Sequence, residues 1–306
     1  MTSLQRTTHA AIILGVFALF GCGGTVVIEG ASSGSSSGSF SSSSGGSVSD
    51  DWTTLVDGTW QLTPGTEGYW CTRKTLEDDV YITAFRAEAP PGTHHTLLLW
   101  KDGGGPDGEE ACGPLLGSNM VHASGINTDD LVMPEGVAVK IPAGTQLLLN
   151  LHLFNSNSST LNGVSGVLVK TVSAAEVKYE AEMILTGPTN VNVPPNGTQT
   201  IEDACVFPET STIFTLWPHM HQYGTNMKIT HDGASGSKVL HDGAFSFGEQ
   251  VNYAIEPLTV AAGEQLRVEC TYKNPTSETI HWGDSSKAEM CFAGVYRYPK
   301  LGKACF

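Results

Sequence analysis

From about residue 51 onward, short apolar runs alternate with turn-forming clusters. Val80-Tyr81-Ile82-Thr83-Ala84-Phe85, Thr96-Leu97-Leu98-Leu99-Trp100 and the stretch 146–154 are such runs. So are Gly166-Val167-Leu168-Val169, Thr212-Ile213-Phe214-Thr215-Leu216 and Gln265-Leu266-Arg267-Val268. They are rich in β-branched and aromatic residues, and Gly, Pro, Asn and Asp punctuate them. This spacing predicts antiparallel strands and an all-β fold. Helical periodicity is lacking except for one turn near Ala174-Ala175-Glu176. Pro194-Pro195-Asn196-Gly197 is a strong turn signal. A boundary is expected between Val172 and Tyr179, giving two β-sandwich domains, 51–176 and 177–306. The two halves show no sequence repeat.

The N-terminus follows a different pattern. Arg6 precedes the apolar run from Ala10 to Phe20, which ends at Gly21-Cys22. A positive start, a short apolar core and a small residue before the break predict a signal peptide over 1–22. The run is too short to span a bilayer. Leu19-Phe20-Gly21-Cys22 resembles a bacterial lipobox, which implies lipidation at Cys22. Residues 23–50 are dominated by Ser and Gly, a flexible tether that buries no core. The expectation is an exported protein, lipid-anchored to the bacterial cell envelope, periplasmic or on the outer surface.

Charge narrows the partners. The 306 residues carry a formal net charge of −15. An acidic, basic-poor chain has no electrostatic footprint for nucleic acid and no polybasic patch for anionic lipid. Membrane contact is therefore expected through the anchor alone. Of seven cysteines, Cys22 is set aside as the expected lipidation site. Six remain, an even number that suggests three disulfides in an exported chain. No CxxC is present, which argues against a zinc ribbon or a thioredoxin-type site.

The candidate chemistry lies in histidines. Leu147, Leu149, Leu151 and Leu153 share one strand face, which leaves His152 and Asn150 on the other. His219-Met220-His221 places two imidazoles two residues apart, a spacing that lets a strand offer both to one metal. Pro218 cannot donate to a ladder, so that strand is expected to be an edge or to bend there. His94-His95 is awkward on an ideal strand because neighbours point apart. Pro90-Pro91-Gly92 supplies the irregular entry that would let both face one metal. Met290, in Glu289-Met290-Cys291, offers a soft sulfur that suits Cu(I) and that zinc rarely takes. Without Met290, the HxH and a third strand histidine would equally suit catalytic zinc.

Together these motifs resemble, in the same order, those of the copper type II, ascorbate-dependent monooxygenases, the family of dopamine β-monooxygenase and the peptide α-hydroxylating monooxygenase. The resemblance runs from about Tyr69 to Cys305. His94-His95 matches the paired histidines of the electron-transfer copper. Leu151-His152-Leu153-Phe154-Asn155 matches its third histidine. His219-Met220-His221 matches the HxH of the oxygen-binding copper. Glu289-Met290-Cys291, followed by Val295-Tyr296-Arg297-Tyr298-Pro299, matches that copper's methionine and the strand after it.

The resemblance implies two jelly-roll-like antiparallel sandwiches, with a copper site on each, facing an inter-domain cleft. It implies two coppers, O2, a small organic substrate hydroxylated at a C–H bond, and ascorbate as reductant. Copper held by His219, His221 and Met290 would carry the oxygen chemistry; copper held by His94, His95 and His152 would store an electron. It also implies the pairs Cys71–Cys112, Cys205–Cys305 and Cys270–Cys291. A copper-sequestering surface lipoprotein with the same ligands but no turnover is the alternative. One departure bears on the substrate. The peptide-hydroxylating members anchor a carboxylate with Arg, Asn and Tyr at positions that here hold Trp217, Phe292 and Gly294. Trp217 and Phe292 are therefore the expected substrate contacts, with Arg297 the alternative cation. His122, His231, His241 and His281 are expected at the surface or behind the ligands.

Overall fold

The computed structural model describes residues 51–101, 104–114, 119–125, 128–248, 251–283, 285 and 287–302. The leader, Cys22 and the whole Ser/Gly tether lie outside them, as does Cys305.

In the first half the strands are β1 (Thr53–Leu62), β2 (Glu67–Thr75), β3 (Val80–Glu88), β4 (Thr93–Lys101), β5 (Gly108–Cys112), β6 (Met120–Gly125), β7 (Leu131–Val132), β8 (Val137–Ile141), β9 (Gln146–Phe154) and β10 (Leu161–Thr171). A 3-10 turn at Ala174–Glu176 is the only helical element among the described residues. Its first residue follows Ser173, whose N–H and hydroxyl both donate to the Glu176 carboxylate. Then come β11 (Tyr179–Thr186), β12 (Asn192–Val193), β13 (Thr198–Val206), β14 (Ser211–His219), β15 (Gly224–Gly233), β16 (Gly236–Ala244), β17 (Tyr253–Val260), β18 (Gln265–Lys273), β19 (Ile280–His281) and β20 (Phe292–Tyr298). The all-β expectation holds.

Three larger sheets organise these strands. A five-stranded sheet runs β5-β2-β9-β4-β6 and a four-stranded one runs β13-β18-β15-β16. Between them lies a nine-stranded sheet, β1-β10-β3-β8-β11-β20-β14-β17, with β7 beside β3. Its one parallel pairing, β11 on β8, joins the two halves, with Tyr179 opposite Val137 and Ala181 opposite Val139.

The segment β11-β20-β14 is buried on both faces. Ile213, Leu216 and Val295 pack into the core of the second half, while their neighbours Phe214, Trp217 and Tyr296 pack into the core of the first. A strand covered on both sides reads as a largely apolar run, as β14 and β20 do. Where the sequence turns, it turns as its residues dictate. Asn196 takes φ 51°, a conformation Asn tolerates better than most side chains, and Gly197 N–H closes back on Pro194 O at 3.2 Å.

Candidate metal centre

The first histidine set is built by a bulge. Opposite β9, Thr93 pairs with Leu153 and His95 pairs with His152, so His94 is the extra residue. A bulged residue breaks the alternation of faces, which is how neighbouring histidines come to face the same way. The preceding loop forces this entry. Thr93 N–H closes on Pro90 O at 3.0 Å, and Gly92 O accepts from Phe154 N–H. Gly92 has φ 107°, and a Cβ there would lie 2.7 Å from the Trp60 ring, so glycine alone fits.

The three rings converge through Nδ1. His94 Nδ1 lies 3.1 Å from His95 Nδ1, and His152 Nδ1 lies 3.3 Å from the same atom. Two imidazole nitrogens bound to one ion, each about 2 Å from it at a tetrahedral angle, sit about 3.3 Å apart. The donor set thus fits a single small cation. His152 Nε2–H donates to Glu67 Oε1 at 2.6 Å, which leaves Nδ1 as the free lone pair. Tyr69 stacks flat on the same ring, centroids 4.6 Å apart and planes 8° apart. Burial, and then the neighbouring His152, push His94 down to about 4. Burial likewise holds His95 well below its usual value. These rings are neutral near pH 7 and available as ligands.

The second set lies at the end of β14. The strand stops at His219, so His221 occupies the turn before β15 rather than the strand, as the HxH spacing had suggested. Pro218 sits beyond Leu216, the last residue of β14 paired to β17; on that side the strand is locally an edge, where a missing N–H costs nothing. His221 Nδ1–H donates to Ala288 O at 3.0 Å, and the Ser285 backbone also accepts from this ring. Burial pushes His221 down to about 4. His219 is stacked by Trp217, centroids 4.8 Å apart.

Met290 is 5% exposed and its segment is tied to this turn. The Glu289 carboxylate accepts from His221 N–H at 2.9 Å and Tyr223 N–H at 2.6 Å. Burial pushes Glu289 up to about 7, against the pull of these backbone donors. Tyr272 donates its hydroxyl proton to Met290 O at 2.8 Å.

The two sets face each other. The His95 and His219 ring centroids are 6.4 Å apart. Phe247 lies against both sets, 4.3 Å from His94 and 6.2 Å from His221.

Other expected residues fall elsewhere. Trp217 is 2% exposed and Phe292 4%, so both wall His219 from the protein side; Phe292 is also its strand partner. Arg297 is fully buried and its guanidinium is held by Glu182 at 2.7 and 2.9 Å. It is committed to that carboxylate and is no loose cation for a substrate. His122 and His231 are buried and so do not stand at the surface. His122 is buried against Phe85, and Tyr296, which donates to Val121 O, lies 3.1 Å from His122 Nδ1. His231 pairs with Glu264 at 2.9 Å. Disulfides join Cys71 to Cys112 and Cys270 to Cys291. The expected Cys205–Cys305 bond lies outside the described residues on its Cys305 side. Asn150 donates to both Cys71 and Cys112 sulfurs at 3.3 Å, fastening that bridge two residues from His152.

Glu67, Tyr69 and Phe247 carried no sequence signal, because each meets its histidine only through folding. Glu289 had one: it stands beside Met290.

Comparison with known proteins gives three findings. Residues 179–306 match the family model described as copper type II ascorbate-dependent monooxygenase, C-terminal domain. Over 93 residues the chain is 27% identical to the human DBH-like monooxygenase protein 1, covering 29% of this chain and 15% of that protein. A solved structure, dimeric latent PorU from Porphyromonas gingivalis, aligns over 75% of this chain and 24% of its own, at 10% identity and a TM-score of 0.20; this likeness is too slight to bear on fold or function.

Proposed function

We propose, from the match of residues 179–306 to the C-terminal domain model of the copper type II, ascorbate-dependent monooxygenases, that the chain hydroxylates a C–H bond of a small organic substrate with O2 and an external reductant. The observation that carries this reading is the meeting of two histidine sets, three converging Nδ1 atoms on one side and the His219–His221 pair on the other, with His95 and His219 6.4 Å apart. Substrate C–H and O2, with two electrons and two protons, give the alcohol and one water. Copper, when bound, supplies O2 activation and one-electron storage at each of two sites.

The chain's own residues divide the remaining work. His94, His95 and His152 would hold one ion through nitrogen alone, with Glu67 fixing the third ring. His219, His221 and Met290 would hold the other, and the methionine sulfur favours the reduced metal. Burial lowers the pKa of His94, His95, His152 and His221 and so favours their unprotonated form at neutral pH, so binding at these rings needs little proton release. Trp217, Phe292 and Phe247 surround the second set with apolar surface, which favours a substrate without a free carboxylate. The body would be tethered to the cell envelope through lipidated Cys22 and the Ser/Gly segment.

The test is metal analysis followed by oxygen uptake. Purified protein should bind two coppers per chain and consume O2 with ascorbate only when a hydroxylatable substrate is present. X-ray absorption of the reduced form should show one copper–sulfur contact, lost in Met290→Ala while copper at the three-histidine set remains. Two coppers without substrate-dependent uptake would favour copper sequestration. One site, or zinc preferred at both, would defeat the proposal.

A further inference from the structure

We propose that Glu289 is the positioning residue that sets the His221-to-Met290 spacing, an inference that rests on reading both as ligands of one copper. The two come from segments 69 positions apart in the chain, and neither is tied to the other by a strand ladder at that point. β14 has ended at His219 and β15 begins at Gly224, so the N–H groups of the intervening turn need other acceptors.

Glu289 supplies them. Its Oε2 accepts from His221 N–H at 2.9 Å and from Met290 N–H at 3.3 Å. One oxygen atom thus holds the main chain of both ligands. Its Oε1 takes Tyr223 N–H at 2.6 Å, and Gly224 N–H also contributes. The residue is completely buried, and its carboxylate accepts from backbone N–H groups. Its own backbone is pinned as well: Glu289 N–H donates to His281 O, and Glu289 O accepts from Gly283 N–H. The Cys270–Cys291 bridge and the Tyr272 hydroxyl fasten the residues just after it. The carboxylate is therefore a rigid bracket between the two ligand segments.

Only a carboxylate fits that role. It presents two acceptor oxygens and no donor. Glutamine would turn an NH2 toward at least one of these N–H donors, so one ligand segment would lose its anchor. Aspartate keeps both oxygens on an arm one methylene shorter and cannot reach both segments.

The experiment compares wild type, Glu289→Gln, Glu289→Asp and, as control, Glu264→Gln. Glu264 is also a carboxylate fed by backbone N–H groups, from Ala234 and Ala261, in the same half. Each protein is loaded with Cu(I) and examined by X-ray absorption and by chelator competition. We expect both Glu289 variants to lose the copper–sulfur contact or lengthen it, and to weaken the methionine site at least tenfold. The three-histidine site should be unchanged, and Glu264→Gln should match wild type at both sites. If Glu289→Gln does not fold, Glu289→Asp alone carries the comparison. A Glu289 variant with an unaltered sulfur contact and affinity overturns the proposal, as does an equal loss in Glu264→Gln. If wild type itself shows no copper–sulfur contact, the ligand reading fails first and is distinguished from failure of the bracket.

Discussion

Glu67 accepts a hydrogen bond from His152 Nε2 over 2.6 Å, and that contact decides which nitrogen His152 turns toward His95. Removing it leaves the ring free to rotate and to change tautomer. Such partners typically account for about 10–100-fold in metal affinity. Glu67→Ala should weaken copper binding at the three-histidine set by that factor and leave the methionine-containing set unchanged. Competition titration of each site measures this; equal affinities in variant and wild type would mean that the contact is idle.

His122 gives stability an acid limit. Burial pushes it down to about 3, whereas a histidine in the unfolded chain titrates near 6.5. Between those values the unfolded chain binds a proton that the folded chain refuses. Stability is therefore full above about pH 6.5 and falls as the pH drops toward 3, by up to ~1.4 kcal/mol per pH unit for this group. Asparagine can keep a donor toward Tyr296 without titrating. Between pH 7.5 and 5, denaturant unfolding should show wild type losing about 2 kcal/mol more than His122→Asn, by the same linkage. Parallel losses would remove His122 from the acid response.

The Trp217–Gly294 pair predicts substrate preference. They are direct strand partners. A Cβ at Gly294 would lie 2.3 Å from Met183 Cε and 3.1 Å from Trp217 Cε3, so the large indole and the missing side chain belong together. A carboxylate brought against such a wall would lack a cation, and burying it unpaired is costly. In side-by-side assays with copper and ascorbate, glycine-extended peptides should be inert and neutral or cationic aromatic compounds should turn over. Efficient peptide hydroxylation with inert aromatics would reverse this assignment.

The envelope anchor has its own test. Cys22→Ala should move the protein from the membrane fraction to the soluble one, and mass spectrometry should find the mature wild-type chain starting at a lipidated Cys22. Membrane association that survives the substitution would exclude lipidation as the anchor.

The sequence by itself determined the candidate ligands and the strand content. His94-His95 after Pro90-Pro91-Gly92 and His152 opposite a leucine ladder are local patterns that backbone rules interpret, whereas HxH read as one strand misplaced His221, which lies in the turn after β14. The irregular entry expected from the double proline is the bulge at His94. What only the tertiary structure decided depends on long-range contacts. Glu67 meets His152 across 85 residues, and Glu289 meets His221 across 68. Phe247 reaches His94 from another strand connection altogether. The doubly covered strands β14 and β20 were legible as strands but not in their facing, because apolar residues on both sides erase the period of two that marks an inner face. The sharing of one sheet by the two halves, and the 6.4 Å approach of His95 to His219, follow from that packing. No segment read alone contains them.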